Sequence, residues 1–176
     1  MNYAVVLYFD DVSNNKIQSL INNTAANCGN EYMVKTDIPP HITISSIMSD
    51  NDDLLIGAID AFADRLTKGE IFWASIGVFN PNVLFLSPIM NEYLLDLCKF
   101  VNRQLLKVGE AGDNGFYLPY QWMPHTTIAT KLSEAELSKA FETVKNEFKG
   151  FGGIADKIAL AQCNPYKEIK IWELKK

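Results

Sequence analysis

Histidine and cysteine are both scarce in this chain, and positive charge is in deficit. The 176 residues include two histidines and three cysteines, and the formal net charge at pH 7 is −5. No apolar run approaches the ~20 residues that a membrane-spanning helix needs. The lack of a long apolar run argues against a membrane-spanning helix. The negative net charge argues against a protein that coats nucleic acid through its phosphates. They leave room for a local pocket that holds one phosphate or one RNA end.

The cysteines provide neither a disulfide framework nor a metal site. Cys28, Cys98 and Cys163 are odd in number, far apart and without Cys-x-x-Cys spacing, which is typical of reduced thiols in an intracellular protein. No cluster of possible ligands accompanies them, so we expect no metal and no other cofactor. The N-terminal apolar run lacks a basic flank and stops at Asp10, so it does not predict a signal peptide. Together these features predict a cytoplasmic protein with no membrane partner.

The composition is that of an ordinary globular protein. Hydrophobic residues make up 48% of the chain and charged residues 21%, and the length suits a single domain. Strand-like apolar runs alternate with helical stripes, which predicts an α+β fold. The spacing of Ser133 and Glu136 predicts a capping box at the start of one helix. The glycines and polar residues of the stretch 108–115 predict a flexible connection.

The two histidines occur in two copies of one short motif. Residues 40–44 and residues 124–128 both read Pro-His-x-Thr-Ile. We predict strands over residues 41–47 and 125–130 that contain these motifs. Successive side chains of a strand point to opposite faces, so each histidine shares a face with the threonine two positions later.

One offset of 84 residues relates both motifs, a helix cap and a hairpin turn. The corresponding pairs are His41 and His125, Thr43 and Thr127, Ser49 and Ser133, and Asn80-Pro81 and Asn164-Pro165. A register kept over this length predicts an internal duplication. We therefore expect one domain, residues 1–176, made of two pseudo-symmetric lobes with antiparallel sheets flanked by helices around a central cleft. A pseudo-twofold axis brings the two motifs to opposite walls of that cleft.

Two imidazoles on either side of a bound group suit acid–base catalysis. A pKa near 6.5 lets one imidazole be neutral and the other protonated near neutral pH. The hydroxyl groups of Thr43 and Thr127 can donate hydrogen bonds to the same group and stabilise charge that develops on it. A phosphodiester matches two donors and two proton shuttles, and this chemistry needs no metal. The near-symmetry leaves open whether His41 or His125 is the base.

The paired motifs, the duplication and the chain length resemble the two-histidine (2H) phosphoesterase superfamily. The branch that looks most similar contains the 2′-5′ RNA ligase-like, RNA 2′,3′-cyclic phosphodiesterase proteins. The resemblance implies that His41, Thr43, His125 and Thr127 line a central cleft and open cyclic phosphodiesters. It also implies that the same groups, acting in reverse, join RNA ends by 2′-5′ linkage. Water at ~55 M favours hydrolysis as the net direction.

Three further residues are candidates for binding the substrate. Members of this branch often carry a basic residue soon after the second motif, and strand alternation puts Lys131 on the face of His125, where it can reach a phosphate. The alternative is a solvated lysine at a strand end. In the aromatic cluster before the second motif, one or two rings can stack on a nucleobase, and we select Tyr120 and Trp122. The whole cluster consists of Phe116, Tyr117, Tyr120 and Trp122. The alternative is that these rings only cover the apolar edge of the cleft.

Two alternatives to the proposed enzyme remain open at this point. The first is a module that binds a nucleotide or an RNA end without significant turnover. The second is a phosphodiesterase for a small substrate such as ADP-ribose cyclic phosphate. In each case we expect a monomer whose partner is an RNA end or a cyclic nucleotide. The sequence leaves open whether the product is a 2′- or a 3′-phosphate.

Overall fold

The computed structural model describes all residues, 1–176. The strands are β1 (Asn2–Phe9), β2 (Ile42–Met48), β3 (Gly69–Phe79), β4 (Val83–Pro88), β5 (Glu110–Ala111), β6 (Thr126–Ala129), β7 (Phe151–Gln162) and β8 (Lys167–Glu173). The helices are α1 (Asp11–Cys28), α2 (Tyr32–Thr36), α3 (Asp52–Ala63), α4 (Glu92–Leu105) and α5 (Glu134–Glu147), with a 3-10 turn at Asp113–Gly115. None of the helices is long and apolar enough to cross a membrane.

The strands form one antiparallel sheet in the order β5-β2-β1-β7-β3-β4-β6, and β8 also pairs with β7. Alternate residues of β1 divide the two faces. Val5 and Leu7 belong to the main core beneath the helices, whereas Val6 and Tyr8 lie on the other face. The predicted α+β class, with antiparallel strands flanked by helices, is confirmed.

Apart from the short strand β5, the main path of the sheet falls into two groups of three strands. The path β2-β1-β7 mirrors the path β6-β4-β3, and the two meet where β7 pairs with β3. The helices divide into the same two groups. Helix α4 packs on β2 and α3, and helix α1 packs on β6 and α5. We propose that these two groups are the lobes predicted from the 84-residue offset. Each group then takes elements from both halves of the sequence, since β7 joins β1 and β2 while β3 and β4 join β6.

The structure refines the predicted boundaries around the two motifs. The capping box at the start of α5 is confirmed, with Ser133 and Glu136 bonded reciprocally. His41 and His125 each stand one residue before their strands rather than inside them. Strand β6 ends at Ala129, and Lys131 adopts a left-handed conformation with φ of 57°. The alternation argument that placed Lys131 on the face of His125 is therefore wrong, because the strand does not extend that far.

Candidate active site

Both motif histidines face one cavity. Its volume is about 790 Å³, and His41, His125 and Thr127 are among the residues that line it. Aromatic side chains form much of the remaining wall: Tyr32, Phe79, Phe116, Tyr117 and Trp122. The chain folds so that β2 and β6, on opposite sides of the sheet centre, start at the same cavity. Two segments 84 residues apart in sequence therefore present their imidazoles to one space.

The same local hydrogen bond fixes the orientation of each imidazole. The Nδ1 atom of His41 lies 2.8 Å from the carbonyl oxygen of Pro39. The Nδ1 atom of His125 lies 2.9 Å from the carbonyl oxygen of Met123. A carbonyl oxygen only accepts, so Nδ1 must carry the proton in both rings. The Nε2 atom of each ring is therefore left to accept a proton when the ring is neutral and to donate one when it is charged.

The surroundings of the two imidazoles favour their neutral forms. Burial lowers the pKa of His41, and the hydrogen bond to Pro39 opposes that effect. Burial also lowers the pKa of His125, the hydrogen bond to Met123 opposes it, and the positive charge of His41 lowers it further. This mutual repulsion means that protonating one imidazole disfavours protonation of the other. One neutral and one charged histidine is the arrangement that acid–base catalysis needs.

The two motif threonines have different surroundings. Thr127 lines the cavity. Thr43 is only 9% exposed and does not line it. The equivalence that the repeat predicts for the two threonines therefore does not extend to their access to the cavity.

Two aromatic side chains pack against the imidazole ring of His125. The rings of Phe79 and Phe85 stack with centroids 4.2 Å apart. Both meet the imidazole edge to face, at centroid distances of 4.8 Å and 5.4 Å. Gly77 makes room for this arrangement, since a Cβ atom there would overlap the ring of Phe85. The orientation of His125 thus depends on packing as well as on its hydrogen bond.

The glycine-rich stretch before the second motif is bonded to the strand that follows His41. It is therefore not the flexible connection that its composition predicts. Strand β5 pairs with the end of β2. The carboxylate of Asp113 accepts hydrogen bonds from Asn2 at 3.1 Å and Ser46 at 2.7 Å. At the other end, Trp122 donates its Nε1 proton to the carbonyl oxygen of Thr43 at 2.9 Å. The stretch therefore forms a fixed wall between the two histidines.

The predicted binding residues have different positions relative to the cavity. Trp122 lines the cavity, although its indole is mostly buried. Tyr120 does not line it and is 81% exposed, with the Nζ atom of Lys99 5.2 Å from its ring centroid. Lys131 does not line it either, and its Nζ atom lies 4.1 Å from the ring centroid of Tyr32. The ammonium group of Lys131 therefore contacts a wall residue of the cavity, Tyr32, without lining the cavity itself.

Phe116 and Tyr117 line the cavity but were not among the residues selected from the sequence. Both belong to the aromatic cluster that the sequence indicates, yet irregular backbone gives no period from which to read their orientation. Asp113 also lines the cavity, where it is the charged wall residue other than the histidines. The sequence therefore identified the loop but not which of its side chains face the cavity.

Comparison with known proteins relates the chain to one protein family and to several solved structures. A family model described as the 2′-5′ RNA ligase superfamily matches residues 10–164. No curated protein matches the chain by sequence. Similar solved structures include a phosphoesterase (TM-score 0.63, 12% identity), the protein TT0787 of Thermus thermophilus (0.62, 13%) and E. coli LigT complexed with NADP+ (0.59, 13%). Each of these comparisons covers 99% of this chain and 98% of the other. At such low identity, the likeness shows the fold.

Proposed function

Because the chain belongs to the 2′-5′ RNA ligase superfamily, we propose that it is a metal-independent phosphodiesterase that opens 2′,3′-cyclic phosphates of RNA ends or nucleotides. Family and fold support an enzyme of the phosphoesterase or RNA ligase-like type. The finer assignment rests on the chemistry of the cavity.

The observation that carries the proposal is the matched pair of imidazoles. His41 and His125 line one cavity with Nδ1 bonded to a backbone carbonyl and Nε2 left free. A binding site has no need of two proton shuttles held in the same tautomer. An in-line displacement at phosphorus needs both, one on the side of the nucleophile and one on the side of the leaving oxygen.

The proposed reaction begins when one neutral imidazole removes a proton from water. The water oxygen attacks phosphorus, and a bond to one ribose oxygen of the cyclic diester breaks. The second imidazole, in its charged form, gives its Nε2 proton to that leaving oxygen. The product is a nucleoside monophosphate with a free neighbouring hydroxyl group. Thr127 donates a hydrogen bond to a non-bridging oxygen and stabilises charge that develops there.

The same groups support a reversible ligase reaction. When the 5′-hydroxyl group of a second RNA takes the place of water, attack on the cyclic phosphate forms a 2′-5′ phosphodiester and frees the 3′-hydroxyl group. In the joining reaction the base and the acid act as they do in hydrolysis. In the opposite direction, the imidazole that served as acid acts as base and the other acts as acid.

The wall of the cavity favours a substrate with one phosphate and one base near the histidines. Aromatic rings such as Tyr32 and Phe116 can stack on a nucleobase. The fixed carboxylate of Asp113 in the wall repels additional phosphates. The cavity thus suits a cyclic mononucleotide or the terminal nucleotide of an RNA.

The test is a turnover assay in EDTA. Purified protein is incubated with the four nucleoside 2′,3′-cyclic monophosphates, and the products are resolved as 2′- and 3′-phosphates. We expect hydrolysis by the wild type and loss of at least ~100-fold in kcat in both His41→Ala and His125→Ala, because each removes an acid or base.

Three outcomes distinguish the alternatives. Binding without turnover, measured by calorimetry with the same nucleotides, would favour the binding module. Activity that disappears in EDTA and returns with a divalent cation would overturn metal independence. Unchanged activity in either alanine variant would overturn the assignment of that histidine.

A further inference from the structure

The wall of the cavity contains a carboxylate that the proposed reaction does not use. Apart from the two histidines, Asp113 is the one ionisable side chain of the wall that carries a charge near neutral pH. No lysine or arginine lines the cavity, and Asp113 belongs to none of the ion pairs of the protein. Its side chain is exposed, so a ligand in the cavity can reach it.

The first two strands of the sheet hold this carboxylate in one orientation. Its Oδ1 atom accepts a hydrogen bond from Nδ2 of Asn2 at 3.1 Å, and its Oδ2 atom accepts one from Oγ of Ser46 at 2.7 Å. Gly112 allows this approach, because a Cβ atom there would overlap the side chains of both Asn2 and Ser46. The carboxylate is therefore a fixed part of the wall.

The two hydrogen bonds leave the carboxylate half free. An ionised carboxylate offers about four acceptor sites, two on each oxygen. Asn2 and Ser46 occupy one site each, and they do so on different oxygens. One site on each oxygen is left for a ligand. Two parallel N–H groups fit this arrangement, as in the bidentate pairing of a guanidinium group with a carboxylate.

Among the four RNA bases, only guanine presents two adjacent N–H donors on its Watson–Crick edge, from N1 and from the 2-amino group. Adenine and cytosine place an acceptor nitrogen of the ring beside their amino group. Uracil places a carbonyl oxygen on each side of its N–H. A carboxylate only accepts hydrogen bonds, so it is repelled by those acceptors. Proteins that bind single-stranded RNA commonly recognise such unpaired base edges.

The position of the carboxylate suits contact with the base of a nucleotide. Ser46 follows His41 by five positions along the first motif strand, so Asp113 stands away from the imidazoles. Phe116 lines the cavity and comes from the same turn, since its N–H donates to the carbonyl oxygen of Asp113 at 3.1 Å. A nucleotide whose phosphate lies between the imidazoles has room to extend its base along the cavity toward this turn. There the ring of Phe116 offers a stacking surface.

We propose that Asp113 selects guanine by accepting the N1 proton and a 2-amino proton of the substrate base. This inference rests on the proposed function and narrows its substrate to guanosine 2′,3′-cyclic phosphate or an RNA that ends in that nucleotide. Asp113 then determines specificity and takes no part in proton transfer.

The first test compares kcat/KM of the wild type for the 2′,3′-cyclic phosphates of guanosine, inosine, adenosine, cytidine and uridine. Inosine lacks only the 2-amino group of guanosine. Because the carboxylate is open to solvent, each hydrogen bond is worth less than a buried one. We expect a value ~3- to 10-fold lower for inosine than for guanosine, and at least ~10-fold lower for the other three. This comparison needs no variant, so it does not depend on how a variant folds.

The second test is Asp113→Asn, which keeps the size of the side chain and replaces one acceptor oxygen by a donor group. The ratio of kcat/KM for guanosine to that for adenosine should fall by at least ~10-fold, because the amide can no longer accept two protons. A carboxylate that only bonded the loop to the sheet would change both values by the same factor. The ratio therefore separates recognition of the base from a structural role.

Asp37→Asn is the matched control. Asp37 is exposed, does not line the cavity and has the same type of left-handed backbone, with φ of 52° compared with 44° at Asp113. This variant removes the same charge and should leave the guanosine-to-adenosine ratio within ~2-fold of the wild type. Thermal unfolding of both variants shows whether either has lost stability.

Affinities for guanosine and adenosine 2′-monophosphates, measured by calorimetry, keep this inference separate from the proposed function. If the wild type binds guanosine 2′-monophosphate at least ~10-fold more tightly than the adenosine compound but hydrolyses no cyclic nucleotide, the proposed function fails and the inference stands. Hydrolysis of all the cyclic nucleotides with values within ~3-fold of one another would overturn the inference and leave the proposed function intact. A preference for guanosine that persists in Asp113→Asn would overturn it as well.

Discussion

The His41 and His125 ends of the cavity hold the imidazole by the same type of backbone hydrogen bond, but different side chains pack nearby. Each ring is anchored by a carbonyl two residues earlier in the chain. Around His125 the support is aromatic, from Phe79 and Phe85. The strand that follows His41 instead pairs Thr43 with Val6 of β1. The duplicated motif therefore repeats the tautomer and leaves the environment to be set by residues outside it.

This difference has a functional consequence for the two histidines. Protonation of His41 lowers the pKa of His125, so the pair shares one proton more readily than two. The environment decides which ring holds that proton when the substrate is bound. A site built from two similar halves can in this way provide two different roles.

The largest expected effect comes from removing each imidazole and changing the leaving group. His41→Ala and His125→Ala should each lower kcat by at least ~100-fold on a cyclic nucleotide. On a p-nitrophenyl phosphodiester, whose leaving group needs no proton, the variant that lacks the acid should recover most of its activity and the variant that lacks the base should not. Equal losses on both substrates in both variants would contradict separate acid and base roles.

The next largest effect is the dependence on pH. The base must be neutral and the acid charged, so activity rises through the pKa of the base and falls through the pKa of the acid. Because burial lowers both pKa values below 6.5, we expect kcat/KM to peak below pH 6.5 and to fall about tenfold per pH unit above the higher pKa. The kcat profile should lie at higher pH, because a bound phosphate stabilises the imidazolium. An optimum of kcat/KM at pH 8 or above would contradict this prediction.

A smaller effect is expected when the aromatic support of His125 is disturbed. In Gly77→Ala the added methyl group displaces the ring of Phe85, which should lower the free energy of unfolding by about 1–3 kcal/mol. Tilting of His125 should reduce kcat/KM by about tenfold, since small displacements of catalytic groups are costly. The control is Gly57→Ala on α3, where a Cβ atom meets nothing within 4 Å, and it should change kcat/KM by less than ~3-fold. Similar kinetic losses in both variants would contradict a role of the Phe85 packing in orienting His125.

The smallest effect is expected at the rim. Lys131 and Tyr120 are both exposed and do not line the cavity, so Lys131→Met and Tyr120→Ala should each change kcat/KM for a cyclic mononucleotide by less than ~3-fold. A longer RNA ending in a cyclic phosphate extends beyond the cavity and should show larger losses, in a salt-dependent manner. A tenfold loss on the mononucleotide would restore Lys131 as a direct phosphate contact.

The residues that could be predicted from the sequence are those whose signal is local or repeated. His41, His125 and Thr127 follow from the motif, and the α5 cap follows from Ser133 and Glu136. Lys131 was misplaced because strand alternation was extended past Ala129, where the backbone turns into a left-handed conformation. Tyr117 was recognised as part of the aromatic cluster but not selected from it, because an irregular loop has no period that gives the direction of a side chain.

The sequence by itself determined that the chain is α+β, that it repeats one histidine motif with an offset of 84 residues, and that those histidines are suited to acid–base chemistry. These properties are carried by short-range patterns of side-chain polarity and identity. Only the tertiary structure decided that both histidines face one cavity, that Tyr117 lines it where Thr43 does not, and that elements from both halves of the chain build each end. These features depend on long-range strand pairing and on hydrogen bonds such as that between Trp122 and Thr43, which join residues far apart in sequence.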